Sequence, residues 1–179
     1  MPAVAESAAR GQTMKAVFIE GFGGVEALRC GDLPRPQARR GQVLVEVHAA
    51  AVNPRDWMLR EGRYQFRFLM PGFPLILGSD MSGVVAEAGP GADRFRPGEA
   101  VFGMQTLWGR MGCHAEYVAI AESALARKPE AISHFEAAAA PCAALSARPG
   151  PITGVLDPVA RFLAHEPNTC GAARETSGR

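Results

Sequence analysis

The sequence predicts a mainly β fold, predominantly antiparallel, carrying a few short helices. The stretch from Pro74 to Gly103 sets short apolar runs between glycines and prolines: Val84-Val85-Ala86 after Gly83, the loop Gly89-Pro90-Gly91, and Val101-Phe102 after the turn Arg96-Pro97-Gly98-Glu99. Glycine supplies positive φ and proline fixes φ, so the pattern describes strand, turn and strand, with Phe95 as an apolar plug. From Gly41 to Val52 apolar and polar residues alternate as in a half-buried strand. Near the start, Met14-Lys15-Ala16-Val17-Phe18-Ile19 forms a further strand-like run leading into a glycine loop.

The totals limit the function classes. A chain of 179 residues holds one domain with tails, and 47% apolar residues suffice for a core. A formal net charge of +1 without a basic stripe argues against nucleic-acid binding by bulk charge. Cys30, Cys113, Cys142 and Cys170 are scattered without a C-x-x-C pair, which fits reduced thiols in a cytoplasmic protein. The longest apolar runs fall far short of the ~20 residues that span a bilayer, so no membrane partner is expected.

Taken in order, Met1 to Thr13 has no hydrophobic period and lacks the apolar centre of a secretory signal. It reads as a disordered leader, or as residues upstream of a true start at Met14. After the first strand, Gly21-Phe22-Gly23-Gly24 is expected to be a hairpin turn and not a dinucleotide fingerprint, because Glu26-Ala27-Leu28-Arg29-Cys30 continues as a strand instead of a helix. Asn53-Pro54-Arg55-Asp56-Trp57 opens a short helix, with proline at its first turn. Gln65 to Phe73 is aromatic, basic and broken by proline. Beyond Trp108 lies the stretch Gly112 to Ile120. Ser133 and Glu136 form a capping box ahead of an alanine-rich helix. Arg148-Pro149-Gly150-Pro151 then breaks any helix, Val155 to His165 fits one short amphipathic helix, and Asn168 to Arg179 is polar coil.

The run from Pro74 to Gly103 resembles the catalytic-domain signature of the medium-chain dehydrogenase/reductase superfamily. Gly78-Ser79-Asp80 is similar to the zinc-independent, quinone reductase-like branch, with Ser79 where zinc enzymes place a histidine ligand. Asn53-Pro54-Arg55-Asp56-Trp57 resembles the loop that faces nicotinamide and substrate in that branch, and Gly112 to Ile120 resembles a strand of the same domain, so the resemblance implies another strand there. The resemblance covers Met14 to Ala147. It implies a GroES-like, partly open β-barrel over residues 14–147, flanked by the leader 1–13 and a poorly ordered tail 148–179.

What the resemblance implies about function is hydride transfer from NADPH to a conjugated carbonyl acceptor, a small-molecule quinone or enone, without zinc. Such acceptors delocalise their own developing charge, so the protein chiefly binds, orients and supplies hydrogen-bond donors. Asn53, Asp56 and Tyr64 are the candidate catalytic residues, and Asn53 and Trp57 the candidate cofactor contacts. Each has a plain structural reading as well: Asn53 as a helix cap, Asp56 as a brace of the first turn, Tyr64 and Trp57 as packing. Met70 and Phe73 are candidate substrate-wall residues. Ser79 and Asp80 are expected to bond loop backbone, and Cys113-His114 is a lone pair more suited to packing or to the surface than to metal. No glycine fingerprint follows Ala147, so the chain is expected to be cut short and inactive alone. The alternative is a non-catalytic barrel acting through protein association, with a homodimer formed through its open face.

Overall fold

A computed structural model of the chain describes residues 12–69, 72–105 and 112–147. Most of the leader, the expected tail from residue 148 on, Met70 and Trp108 lie outside the described residues.

Strand β1 (Thr13–Ile19) turns Met14, Ala16 and Phe18 to one side, and all three are buried. Its antiparallel partner β2 (Leu28–Pro34) is in register from Thr13 opposite Pro34 to Ile19 opposite Leu28. The glycine loop between them is therefore a hairpin connection, as its sequence implies. The strand expected from Glu26 starts later, at Leu28. The backbone N–H of Gly24 donates to the Glu26 carboxylate at 2.9 Å and that of Ala27 to the Gly24 carbonyl at 3.1 Å. These bonds wind Val25–Ala27 into a single tight helical turn.

A two-residue strand, β4 (Leu75–Ile76), pairs with the other edge of β1 and completes a three-stranded sheet ordered β2-β1-β4. The second sheet has five strands ordered β7-β3-β5-β6-β8: β3 (Gln42–Ala51), β5 (Asp80–Ala88), β6 (Ala100–Met104), β7 (Tyr117–Ala121) and β8 (Leu125–Arg127). All its pairings are antiparallel. Val45, Met81, Val85, Val101 and Val118 meet in its core, and Phe95, 3% exposed, plugs that core from the loop. Gly83 is dictated by crowding, since a Cβ there would overlap the carbonyl oxygen of Glu46 on the neighbouring strand.

The strand expected over Gly112 to Ile120 becomes regular only at Tyr117. Ahead of it, residues 113–116 join the two sheets. Cys113 and His114 donate backbone N–H groups to Gly78 and Leu77, Val17 donates to His114, and Val47 donates to Glu116, all at 2.8–3.0 Å. Backbone groups spent on two sheets at once cannot also form one continuous ladder. The result is two antiparallel sheets tied along this seam, with no closed barrel among the described residues.

Among the described residues are three α-helices; the first two follow the expected signals, and the third was not expected as a helix of its own. Helix α1 is Pro54–Arg60, α2 is His134–Ala139 and α3 is Pro141–Ala147. Ser133 caps α2, its hydroxyl accepting from the Glu136 N–H at 3.2 Å while the Glu136 carboxylate accepts from the Ser133 N–H at 2.8 Å. Pro141 ends the alanine-rich run and starts a new helix, because proline has no N–H to continue the old one. Phe102, Ala126 and Ala137 bury the inner face of these helices together with Leu145. Among the described residues no helix is long and apolar enough to cross a membrane.

Candidate functional site

The site lies where the end of β3, helix α1 and the start of β5 converge. Asn53 holds extended backbone (φ −118°, ψ 159°) before α1, and Pro54 occupies the first helical position. The Asp56 carboxylate accepts from the Asn53 backbone N–H at 2.7 Å, and the Asp56 N–H donates to the Asn53 carbonyl at 2.9 Å. Asp56 is 4% exposed, and its second oxygen accepts from the Ser79 hydroxyl at 3.3 Å. The brace that Asp56 was expected to provide is present and reaches β5 as well.

Ser79 and Asp80 are expected to bond loop backbone; instead the Ser79 hydroxyl bonds the Asp56 carboxylate, and Asp80 bonds a side-chain amide and a helix N–H. Asp80 is wholly buried, and one of its oxygens accepts both from Asn53 Nδ2 at 3.1 Å and from the Cys142 backbone N–H at 3.0 Å. Its other oxygen, Oδ1, is buried without a hydrogen-bond partner among the described residues. Burial raises the Asp80 pKa above the usual aspartate range. The Cys142 N–H and the Asn53 amide oppose that rise, while the nearby Asp56 charge adds to it.

Arg55, one position before Asp56, was not singled out by the sequence. Its Nη1 reaches the Gln105 carbonyl at 3.5 Å and its guanidinium carbon lies 5.9 Å from the centre of the Tyr64 ring. Its charge acts on Asp80, Cys113 and Cys142. Its Nε is buried without a hydrogen-bond partner among the described residues. Nothing in a Pro-Arg-Asp tripeptide signals that the arginine folds inward, since this follows from where β5 and Gln105 stand.

The other expected site residues divide. Tyr64 packs against Ile19, Leu59, Leu75 and Leu77, touching the polar cluster through Arg55. Trp57 is 39% exposed and lies under Arg63, 5.6 Å from its guanidinium carbon, apart from the Asn53–Asp80 bonds. Phe73 packs edge-on against Phe22 with ring centres 5.1 Å apart. The structure therefore gathers Asn53 and Asp56 with Ser79, Asp80 and Arg55.

A second polar group lies two residues further along β5. Ser82, fully buried, donates to the Val101 carbonyl at 3.0 Å and lies 2.8 Å from His134 Nδ1, whose ring centre is 4.7 Å from that of His48. His48 is the extra residue of a β-bulge between Val47 and Ala49, which turns its ring toward α2. With its hydrogen spent on Val101 and no exposed surface, the Ser82 hydroxyl is placed as a structural tie and not as a nucleophile. Cys113 is buried with its Sγ 3.2 Å from the Ser79 carbonyl, and His114 Nε2 lies 3.1 Å from the Ala51 carbonyl. Both members of the Cys113-His114 pair are thus engaged in packing and backbone contacts. No group of three or more histidine, cysteine, aspartate or glutamate side chains among the described residues is set to hold a metal ion.

Residues 39–130 match the alcohol dehydrogenase GroES-like domain. The chain belongs to that family. Its relatives include human quinone oxidoreductase, 37% identical over 127 residues that cover 70% of this chain and 37% of that protein. They also include the mitochondrial NAD(P)H oxidoreductase of Dictyostelium discoideum, 32% identical over 75% of this chain and 39% of that one. Among solved structures, the quinone oxidoreductase from Coxiella burnetii superposes with a TM-score of 0.72 at 34% identity, covering 76% of this chain and 43% of that one. The Escherichia coli quinone oxidoreductase complexed with NADPH gives a TM-score of 0.66 at 26% identity, over 74% of this chain and 38% of that one. This GroES-like chain thus spans about two fifths of the length of these relatives, which include quinone oxidoreductases.

Proposed function

We propose that this GroES-like domain is the substrate-facing part of an NADPH-dependent oxidoreductase that reduces quinones or enones. The observation that carries the reading is the junction of β3, α1 and β5, where, among the described residues, Arg55 Nε is a donor without an acceptor and Asp80 Oδ1 an acceptor without a donor. An amide or carbonyl-bearing ring supplies both kinds of group, so the residues present fit a nicotinamide head and a conjugated acceptor. When bound, the nicotinamide supplies a hydride to a carbon of the acceptor, leaving an electron pair to move onto the acceptor oxygen.

The chain's own residues then act by holding and orienting. Asp56 locks the first turn of α1 to Asn53, and Asp80 fixes the Asn53 amide from the opposite side. Asn53 and Trp57 are the proposed contacts to the nicotinamide head, and Tyr64 the proposed phenol donor on the acceptor side. Asp56 serves as the brace of this arrangement, its two oxygens already bonded to Asn53 and Ser79. No zinc step is included, since Ser79 stands where the zinc branch has its histidine.

The test is titration of the 179-residue chain with NADPH and, separately, NADH, followed by nicotinamide fluorescence and by reduction of a simple quinone. Saturable NADPH binding that weakens on Asn53→Ala supports the reading. Absence of binding up to millimolar cofactor counts against a site held by this chain alone. The exposure of Val52 (77%) and Phe135 (78%) favours a second reading, association of this domain with another folded surface, a second copy included. Sedimentation analysis of Phe135→Ser against the parent chain checks it.

A further inference from the structure

We propose that Arg55 is a catalytic residue whose guanidinium binds the acceptor oxygen that gains negative charge during reduction. The proposal rests on the reading of the domain as a quinone or enone reductase and adds the residue that receives the charge.

The argument begins from donor supply and demand. A guanidinium carries five N–H donors and stays charged at any working pH. Among the described residues Arg55 makes one hydrogen bond, a long one to the Gln105 carbonyl, and its Nε is buried with none. Among the described residues no carboxylate pairs with it, although Asp56 and Asp80 are close by. The oxygens of Asp56 are taken by Asn53 and Ser79, and the bonded oxygen of Asp80 by Asn53 and Cys142. A half-buried cation whose neighbouring acids are committed elsewhere is costly unless an anion arrives to pair with it.

The surroundings select the kind of anion. Arg55 stands beside the part-exposed Tyr64 ring, so an aromatic or conjugated ring can lie against Tyr64 there. Asp56 and Asp80 are poor neighbours for a multiply charged phosphate. A single oxygen that is neutral before hydride transfer and anionic after it meets neither repulsion at arrival nor lack of a partner afterwards. A donor held in place for charge that appears only during reaction is where electrostatic stabilisation acts most strongly.

The probe is 4-nitrophenolate, a ring bearing one anionic oxygen, titrated into the full 179-residue chain and followed by its absorbance and by tryptophan fluorescence. Saturable binding is expected, weakened at least about tenfold by Arg55→Met, as the loss of a charged hydrogen bond implies. Arg55→Lys should fall between the two, and Arg29→Met, the same charge change on exposed β2, should bind like the parent. Neutral 4-nitroanisole should bind more weakly than the phenolate. The proposal is overturned by equal binding in folded Arg55→Met, by no saturable binding to the parent chain, or by equal binding of the anisole. Displacement of the phenolate by inorganic pyrophosphate in an Arg55-dependent way would assign the residue to a phosphate instead and also overturn it. Urea unfolding of each variant confirms folding, and Arg55→Lys carries the comparison if the methionine variant does not fold. Failure here with intact NADPH binding sinks Arg55 alone and leaves the oxidoreductase reading standing.

Discussion

The Asp80 carboxylate and the Asn53 side-chain amide, 27 positions apart, are joined by a 3.1 Å hydrogen bond at the meeting point of β5 and α1. The same carboxylate oxygen receives the backbone N–H of Cys142 at the start of α3, so one buried acid ties three elements together. Its unbonded oxygen is the cost of that arrangement, because two donors on one side leave the other without a partner among the described residues.

This arrangement sets a pH dependence whose sign can be worked out. Burial raises the folded-state pKa of Asp80, so the folded chain holds that proton more tightly than the unfolded chain. Its contribution is fully favourable below the unfolded aspartate value, which is 3.8, and is lost as pH rises through the higher folded value. Asp80→Asn cannot ionise. The stability of Asp80→Asn relative to the parent should therefore grow between about pH 4 and about pH 7. Urea midpoints of both proteins across that range check it, and a constant difference would contradict it.

Gly83 has no tolerance for a side chain. A Cβ there would overlap the Glu46 carbonyl oxygen, which belongs to a strand held by ladder bonds and cannot yield as a flexible side chain does. Gly83→Ala should cost at least about 2 kcal/mol or prevent folding. Gly21→Ala, where a Cβ meets nothing within 4 Å, is the control and should change stability little. Parallel denaturant curves separate the two.

Much of this fold was legible because its signals are local. The Ser133–Glu136 box acts within a few residues, and the structure realises it where the pattern puts it. The helix at Pro54 and the brace from Asp56 to Asn53 were readable for the same reason. Gly83, expected to open a strand, instead lies inside β5 and is required by the Glu46 carbonyl of the neighbouring strand. What escaped is long-range. The inward turn of Arg55, the Asp80–Cys142 tie and the contact of His48 with His134 across 2 elements depend on which strands become neighbours. The strand that the family resemblance implied also fails at residues 113–116, whose backbone bonds are divided between two sheets.

Cysteine reactivity gives a direct map of the core. Burial, with the charges of Asp80 and Asp56 adding to it, pushes the Cys113 thiol up to about 12, so almost no thiolate exists near neutral pH. Cys30 is exposed on β2. Brief treatment of the folded chain with iodoacetamide should label Cys30 and leave Cys113 unmodified, and labelling in denaturant should reach both. Peptide mass mapping reads the result. Rapid native labelling of Cys113 would show that the seam between Gly78 and Cys113 opens readily in solution.

His134 should act with the opposite sign to Asp80. Burial, then the neighbouring His48 and Lys128, lowers its pKa below the ordinary value of 6.5. Its place in the first turn of α2, where helix N–H groups point outward, also disfavours a cationic ring. Between the lowered folded value and the unfolded one, the unfolded chain binds more protons, so stability rises with pH. The contribution of His134 is complete above the unfolded value and is lost as pH falls below about 6.5 toward the folded value. His134→Gln keeps a polar partner near the Ser82 hydroxyl, 2.8 Å from Nδ1 in the parent, but cannot take up the proton. The variant should therefore lose less stability than the parent on going from about pH 7.5 to about pH 5, whatever its stability at the upper end. Thermal unfolding across that range, with His48→Gln alongside to separate the two stacked rings, decides the matter. Identical slopes for the parent and His134→Gln would mean that the His134 ring is not held neutral by its burial against β5.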